Sequence, residues 1–562
     1  MSFVLPLNVV FEIALLSTQA VDHPYQNLSV KVRIDCPDGS HFEIPAFWAG
    51  ENRWKFRVSA PKPGVYQYRT ACSDPANAGL HDQTGQFTAV ETERSNPLLA
   101  HGRLCVSPDK TYLMHEDGTP FLWVADTWWM GLTSRLDWPG GVRSLATDRA
   151  AKGFSVIQIV AGPLPDMDWG DPRGMNEAGL PLNEDFSEIN PAWFDHADLK
   201  IAHLVESGLL PCIVGMWGYY LPRMGVEKAQ RFWEYLVARY GAYPVVWCIA
   251  GEGTMPYYLS KSPQEDAALQ KSGWSEVMLH VRRIDGYKNL ITIHPTQFGR
   301  DMVDDPALMD FEMLQTGHGD IDSIPNVRES VARSVVREPV MPVINSEVNY
   351  EGIMGYCWQN IQRWCFYVTL LNGAAGHTYG ANGIWQMSTP EKPYGPSPHG
   401  RSWGNTPWIE ACQLPGSRQV GLGANLLRRY PWWRMKPHPE WIEPAHARDP
   451  WRFAGAGIPG ELRVFYISHL WDPPLIKSIE KGVDYQAFYF DPTSGREFDA
   501  GLVAPDAEGN WRPALPPEVH DWVLVMEKKG VIGEALTTHN LLTHKFLFEL
   551  AWACLKWRYG EP

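Results

Sequence analysis

The sequence predicts an α/β protein built on a (β/α)8 TIM barrel, flanked by N-terminal and C-terminal β-sandwich domains. Three observations predict it. Eight near-continuous apolar runs alternate with amphipathic stretches between residues 105 and 425, as parallel strands covered by helices require. From Asp126 near the end of the first run to Gly376 on the eighth is 376 − 126 = 250 residues, the length of such a barrel. On either side the periodicity falls to two, with Pro- and Gly-bearing turns between short strands. The rival, an open doubly wound sheet, wants a Gly-rich phosphate turn after its first strand, and ADTWWMG (125–131) stands there instead.

Residues 1–95 supply the first sandwich. LSVKVRIDC (28–36) and WKFRVSA (54–60) alternate, and PKPG (61–64) turns the chain into VYQYRTAC (65–72). The apolar start MSFVLPLNVVFEIALLSTQA has no basic residue and is interrupted by Glu12. It therefore reads as a first strand around Phe11, Ile13 and Leu15 rather than a secretory signal.

The barrel strands are expected at FLWVAD (121–126), FSVIQIVAG (154–162), LLPCIVGMW (209–217) and PVVWCIAGE (244–252). NLITIHP (289–295), DFEMLQTG (310–317), MPVINSE (341–347) and GAAGHTYG (373–380) complete the set. FDHADLKIAHLVESG (194–208) and AQRFWEYLVARYG (229–241) read as covering helices, each ending in a Gly placed for a C-cap. Residues 430–530 return to strands at RVFYISHLW (463–471), YQAFYFDPTSG (485–495) and DWVLVMEK (521–528). The tail, 535–562, holds an apolar-rich helix over 541–560, suited to packing on a domain or a sister subunit and so to a homo-oligomer.

Composition narrows the function. With 49 Lys+Arg against 64 Asp+Glu the net charge is −15, which excludes a phosphate backbone as partner. No apolar run reaches 18 residues, so no membrane span is expected. Nine cysteines lie scattered without a CxxC pair, the usage of free thiols in a reducing, cytoplasmic compartment. No motif for a cofactor or metal is found. The 26 Trp, 22 Tyr and 21 Phe fit two readings: large cores, or flat faces on which sugars stack.

Barrel enzymes carry their chemistry at the C-terminal ends of strands. Glu252 ends the fourth and Glu347 the seventh, 347 − 252 = 95 residues apart. Three βα units of roughly 31 residues predict about 93, which sets the two carboxylates across the barrel mouth. Two opposed carboxylates are the minimum apparatus for cleaving an acetal: one protonates the departing oxygen while the other attacks, or activates water.

ADTWW (125–129), IQIVAG (157–162), IAGEG (249–253), ITIHPTQ (291–297), MLQTGHG (313–319), INSEVNYEG (344–352) and GAAGHTYGANGIWQ (373–386) together resemble the apiosidase-like glycoside hydrolases. These are clan-A-type barrel enzymes that release apiose or other sugars from plant polysaccharides and glycosides. WKFRVSAPKPGVYQY (54–68) resembles the β-sandwich that often precedes such barrels, and YFDPTSGREF (489–498) with DWVLVME (521–527) the collagen-binding-type β domain that follows them. The resemblance covers residues 1–530. It implies a retaining mechanism with Glu252 as acid/base and Glu347 as nucleophile. The chain departs from the pattern twice: Gly251 stands where clan-A enzymes usually place an Asn that holds the sugar 2-hydroxyl, and Glu252 where the apiosidase-like pattern has Asp.

Other strand-end residues are candidate substrate contacts. Asp126 can accept two sugar hydroxyls, and of Trp128 and Trp129 one should face the pocket. Trp217, Tyr219 and Tyr220 can form a stacking wall. His294, Gln297, His318, His377, Tyr350, Tyr379 and Trp385 follow strands five to eight. Three strand-end histidines also admit a metal-dependent hydrolase, but the HxH-type start of such sites is absent after strand one. Glu351 is the neighbour to exclude if Glu347 proves dispensable. The long segments 162–185 and 379–400 read as loops closing the mouth, which favours exo-action on short glycosides. A non-catalytic carbohydrate-binding protein on a barrel scaffold is the other reading.

Overall fold

The computed structural model describes residues 2–444, 449–469 and 473–530. The chain forms two compact units: residues 2–150, 154–358 and 374–414 make the first, and 151–153, 359–373 and 415–530 the second. The tail helix expected over 541–560, with the self-association assigned to it, lies outside the described residues, as does Cys554.

In the first unit, the N-terminal residues fold as two facing sheets. Ser2–Pro6, Thr84–Val90, Gly64–Cys72, Val30–Asp35 and His41–Pro45 form one; Phe11–Leu16, Arg53–Val58 and Phe47–Trp48 form the other. Alternate residues such as Val30, Val32 and Ile34 meet Phe56, Val58, Tyr66 and Phe87 in a dry core. Arg57 fixes this sandwich to the barrel helices. Its guanidinium pairs with Glu12 and Asp198 and donates to the Arg239 carbonyl at 2.6 Å.

All eight expected barrel strands form and all are parallel: Trp123–Thr127, Val156–Val160, Leu210–Val214, Val246–Cys248, Ile291–Thr292, Glu312–Gln315, Val343–Glu347 and Gly376–Tyr379. The first is shorter than expected at its start, because Pro120–Phe121 belongs instead to a small antiparallel sheet with Leu113–His115. Their order is 5-4-3-2-1-8-7-6, a sheet closed except between strands five and six. That seam has a local cause. Strand five is two residues long, and in place of a full helix after it stand the single turns Gly299–Met302 and Pro306–Leu308. The Asp310 amide still reaches the Ile291 carbonyl at 2.9 Å, and Thr292 Oγ1 donates to the Phe311 carbonyl at 2.8 Å, so the two edges stay joined.

The covering helices follow the amphipathic stretches. Pro191–Glu206 starts on Asn190 as N-cap and is followed by Gly208 at φ 75°, the left-handed position that Gly supplies without strain. Val226–Tyr240 differs: Gly241 remains right-handed at φ −60°, so the expected left-handed cap is not used there. No helix among the described residues is long and apolar enough to cross a membrane.

In the second unit, Lys436–Pro437, Ala454–Ile458, Leu462–Ile467, Trp522–Lys528, Tyr485–Phe490 and Glu497–Leu502 form a six-stranded antiparallel sheet, beside a two-stranded ribbon of Ile442–Glu443 and Leu475–Ile476. The DPTSG turn is closed by Asp491, which accepts from the Thr493 amide at 2.7 Å. Helices Gln359–Leu371 and Pro415–Arg428 belong to this unit. Arg363 grips Asp521 with two bonds of 2.7 and 2.6 Å, and the Tyr466 hydroxyl donates to the same carboxylate.

Candidate active site

Glu252 follows the fourth barrel strand in a left-handed backbone conformation, φ 45°, uncommon for a residue with a side chain. Hydrogen bonds on both sides impose it: the Gly251 amide donates to Met216 at 2.9 Å, and the Gly253 amide to His294 at 3.0 Å. Glu347 is the last residue of strand seven and is 5% exposed.

One side chain joins the two acids. The Gln315 amide nitrogen donates to Glu252 Oε1 at 3.1 Å and to Glu347 Oε1 at 3.0 Å. The two oxygens are therefore no more than 3.1 + 3.0 = 6.1 Å apart. Were one amide hydrogen aimed straight at each, the trigonal nitrogen would set them about 5.3 Å apart.

The acids differ sharply in their surroundings. Glu347 Oε1 also meets His318 Nε2 at 2.8 Å, and His294 Nε2 lies 3.2 Å from Oε2. Burial alone would raise this carboxyl, but the hydrogen bonds from His294 and His318 outweigh it and hold Glu347 well below the usual carboxylate range. Glu252 accepts from Trp217 Nε1 at 3.1 Å and from Gln315. Burial and then the Glu347 charge push it the other way, up to about 7. One acid is held as an anion while the other keeps a proton near neutrality, the separation of roles that paired carboxylates need.

Aromatic rings surround the pair. Trp129 makes edge contacts with Trp217 and His294, at 5.4 and 5.5 Å between centroids, and its indole donates to the Tyr350 hydroxyl at 3.1 Å. Tyr350 stacks on His318 at 4.5 Å and on Trp385 at 6.2 Å. Trp129, Trp217, His294, His318, Tyr350 and Trp385 thus form one chain of rings around the two carboxylates.

Six other candidates have partners or surroundings of their own. Asp126 is fully buried, and its carboxylate is occupied by Arg149 Nε at 2.5 Å, Trp128 Nε1 at 2.9 Å and the Thr127 amide. Asp126 thus sits in a buried ion pair, and Trp128 lies with it in the core. The Tyr219 hydroxyl donates to the carbonyls of Leu164 and Met167, both at 3.0 Å, and so holds the long second loop. Gln297 is exposed and bonds Asn326. Tyr379 is buried and donates to the buried Glu351 at 2.5 Å. His377 is fully buried in strand eight, where burial pushes its imidazole down to about 3 and keeps it neutral. Among the described residues no group of three or more His, Cys, Asp and Glu is arranged to hold a metal ion.

The two long loops are tied to each other. Asp166 Oδ1 accepts from the Tyr258 hydroxyl at 2.8 Å and from Ser397 at 2.6 Å, and Tyr394 donates to the Pro165 carbonyl at 3.2 Å. Sequence reasoning missed Gln315, although it lies in the strand-end segment MLQTGHG (313–319). It also missed Arg149, whose charge on the helix after strand one claims Asp126.

Residues 107–434 match the family described as "Apiosidase-like, catalytic domain", and residues 9–73 a domain of unknown function, DUF5060. A glycoside hydrolase family 5 structure from Bacteroides vulgatus ATCC 8482 is 24% identical and superposes with a TM-score of 0.65 over 78% of this chain and 95% of that one. A structure titled "Glycoside hydrolase" is 22% identical, with a TM-score of 0.63 over 78% and 99%. A second Bacteroides vulgatus chain, 18% identical, gives 0.69 over 94% of this chain and 100% of its own. At these identities the likeness establishes the fold. No curated protein matches the chain.

Proposed function

The chain belongs to the apiosidase-like family of glycoside hydrolases, and from that premise we propose that it hydrolyses short plant-derived glycosides with retention of configuration, using Glu347 as nucleophile and Glu252 as acid/base. The observation that carries this reading is two buried acids bridged by one amide in unlike surroundings, Glu347 facing two imidazoles that hold it below the usual carboxylate range and Glu252 pushed up to about 7 by burial and the Glu347 charge.

In the first step a Glu347 oxygen attacks the anomeric carbon while the Glu252 proton passes to the glycosidic oxygen. The carbon–oxygen bond breaks, the aglycone leaves as an alcohol and the sugar remains esterified to Glu347. In the second step Glu252, now a carboxylate, takes a proton from water, whose oxygen attacks the same carbon and frees Glu347. Retaining enzymes hold their carboxyl groups about 5–5.5 Å apart and inverting ones about 6.5–9.5 Å; the Gln315 bridge supports the former. The positive charge that develops on the sugar ring faces Glu347, and the surrounding rings exclude water that would weaken that attraction.

Two further features support the finer reading. The loops tied at Asp166 favour a pocket over an open cleft, hence removal of a terminal sugar. Cys36, Cys72, Cys105, Cys212 and Cys248 are free thiols, in keeping with a reducing compartment such as the cytoplasm and with substrates already taken up by the cell.

The test is Glu347→Ala assayed on a panel of aryl pyranosides and furanosides. Turnover should be abolished, and added azide should restore it with formation of the glycosyl azide of inverted configuration. Wild-type activity in that variant would overturn the assignment.

A further inference from the structure

Gln315 has a second end. Its amide nitrogen bridges the two acids, while its oxygen, Oε1, is buried with no hydrogen-bond partner among the described residues. A buried acceptor left unsatisfied costs stability, and the cost disappears when an O–H donates to it. The amide is also in the way. A nitrogen bonded to both oxygens sits roughly 1.5 Å off the line between them, given a trigonal donor, and the anomeric carbon has to pass close to that line. An incoming sugar therefore turns the amide aside and brings its own hydroxyls to it.

We propose that Gln315 reads the sugar hydroxyl on the carbon next to the reacting one, the 2-hydroxyl, exchanging its bridge between Glu252 and Glu347 for that group when substrate binds. The inference rests on Glu252 and Glu347 being the catalytic pair. Three atoms lie next to the anomeric carbon: the leaving oxygen, the ring oxygen and C2. The leaving oxygen is taken by the Glu252 proton. The ring oxygen has no hydrogen to give Oε1 and gains positive charge in the transition state, so it makes a poor acceptor for an N–H. Only the hydroxyl on C2 can both donate to Oε1 and accept from the amide nitrogen.

Of the nearby imidazoles, His318 Nε2 is engaged with Glu347 Oε1, and His294 Nε2 faces Glu347 Oε2 at 3.2 Å. Position 251 cannot contribute, because a Cβ there would lie 2.2 Å from Trp217 Cε3.

The test is a double-mutant cycle between residue and substrate. A 4-nitrophenyl glycoside that the wild type hydrolyses is compared with its 2-deoxy counterpart, in wild type, Gln315→Ala and Gln315→Asn. Comparing variants on the same pair cancels the different intrinsic reactivity of the two glycosides. Gln315→Ala should lose about 10- to 100-fold more in kcat/KM on the parent glycoside than on the 2-deoxy compound. Gln315→Asn, with a shorter reach, should fall between, and all three proteins should melt cooperatively. Equal losses on both glycosides would overturn the inference. That outcome is distinct from failure of the catalytic reading, which would show as an active Glu347→Ala.

Discussion

The indole of Trp217 fills the volume that any side chain at Gly251 would need, a Cβ there falling 2.2 Å from Cε3 and 2.3 Å from Cζ3. The same indole donates to Glu252, the next residue, so the glycine allows the ring to approach and the ring positions the acid. Gly251→Asn, which restores the residue usual in clan-A enzymes, should push Trp217 off Glu252 and lower kcat/KM by about 100-fold, the cost of misplacing a catalytic group by around 1 Å. Steady-state kinetics check it; undiminished activity would mean that the ring has no part in placing the acid.

The pH profile should report the two acids separately. Glu252 must carry a proton in the first step, so with its carboxyl near 7 the kcat/KM of an unactivated glycoside should fall as pH rises through about 7. Glu347 is already anionic in that range. In Glu252→Gln the falling limb should vanish and turnover of poor leaving groups should drop roughly 10²- to 10⁴-fold, with a much smaller loss on 2,4-dinitrophenyl glycosides.

Removing an imidazole should move the other limb. His318→Ala takes one hydrogen bond from the Glu347 anion, so the carboxyl becomes easier to protonate and the rising limb shifts toward neutral pH. The loss of kcat/KM should reach about tenfold near pH 4 and be smaller at pH 7. A profile displaced equally at all pH values would show that His318 acts on something other than Glu347 ionisation.

Asp126 should reveal itself as a structural residue. Asp126→Ala leaves the Arg149 guanidinium buried without its main partner, and should cost roughly 3–5 kcal/mol in urea unfolding. Substrate KM should be little changed in whatever protein remains folded. Asp126→Leu combined with Arg149→Met should recover much of the lost stability, because no buried charge is then stranded. A raised KM with unaltered stability would return Asp126 to the sugar.

The barrel was legible because parallel strands buried on both faces leave apolar runs, and eight of these alternate with amphipathic stretches at a βα spacing. The acids were legible for a related reason. Strand ends converge at the mouth, so a spacing of three βα units suffices to bring Glu252 and Glu347 together. Asp126, Tyr219, Gln297 and Tyr379 satisfy the same strand-end rule, yet their side chains turn to partners the rule does not see: Arg149 on the following helix, the backbone of a long loop, Asn326 and Glu351. Gln315 is the converse. A lone glutamine has no spacing signature, and only the meeting of strands four, six and seven gives its amide two acids to hold.

The second unit gathers three separate stretches of sequence, and this limits how the protein can be taken apart. A fragment cut at the sequence boundary near residue 430 would retain the antiparallel sheet but lose helices Gln359–Leu371 and Pro415–Arg428, leaving Asp521 without Arg363 and Tyr466 without the ring of Tyr367 that stacks on it at 4.8 Å. The C-terminal module is thus not a cassette that recombination could append or exchange at a single junction. Its helix at 359–371 is encoded between the seventh and eighth barrel strands, so the two units are bound to be inherited, expressed and engineered together.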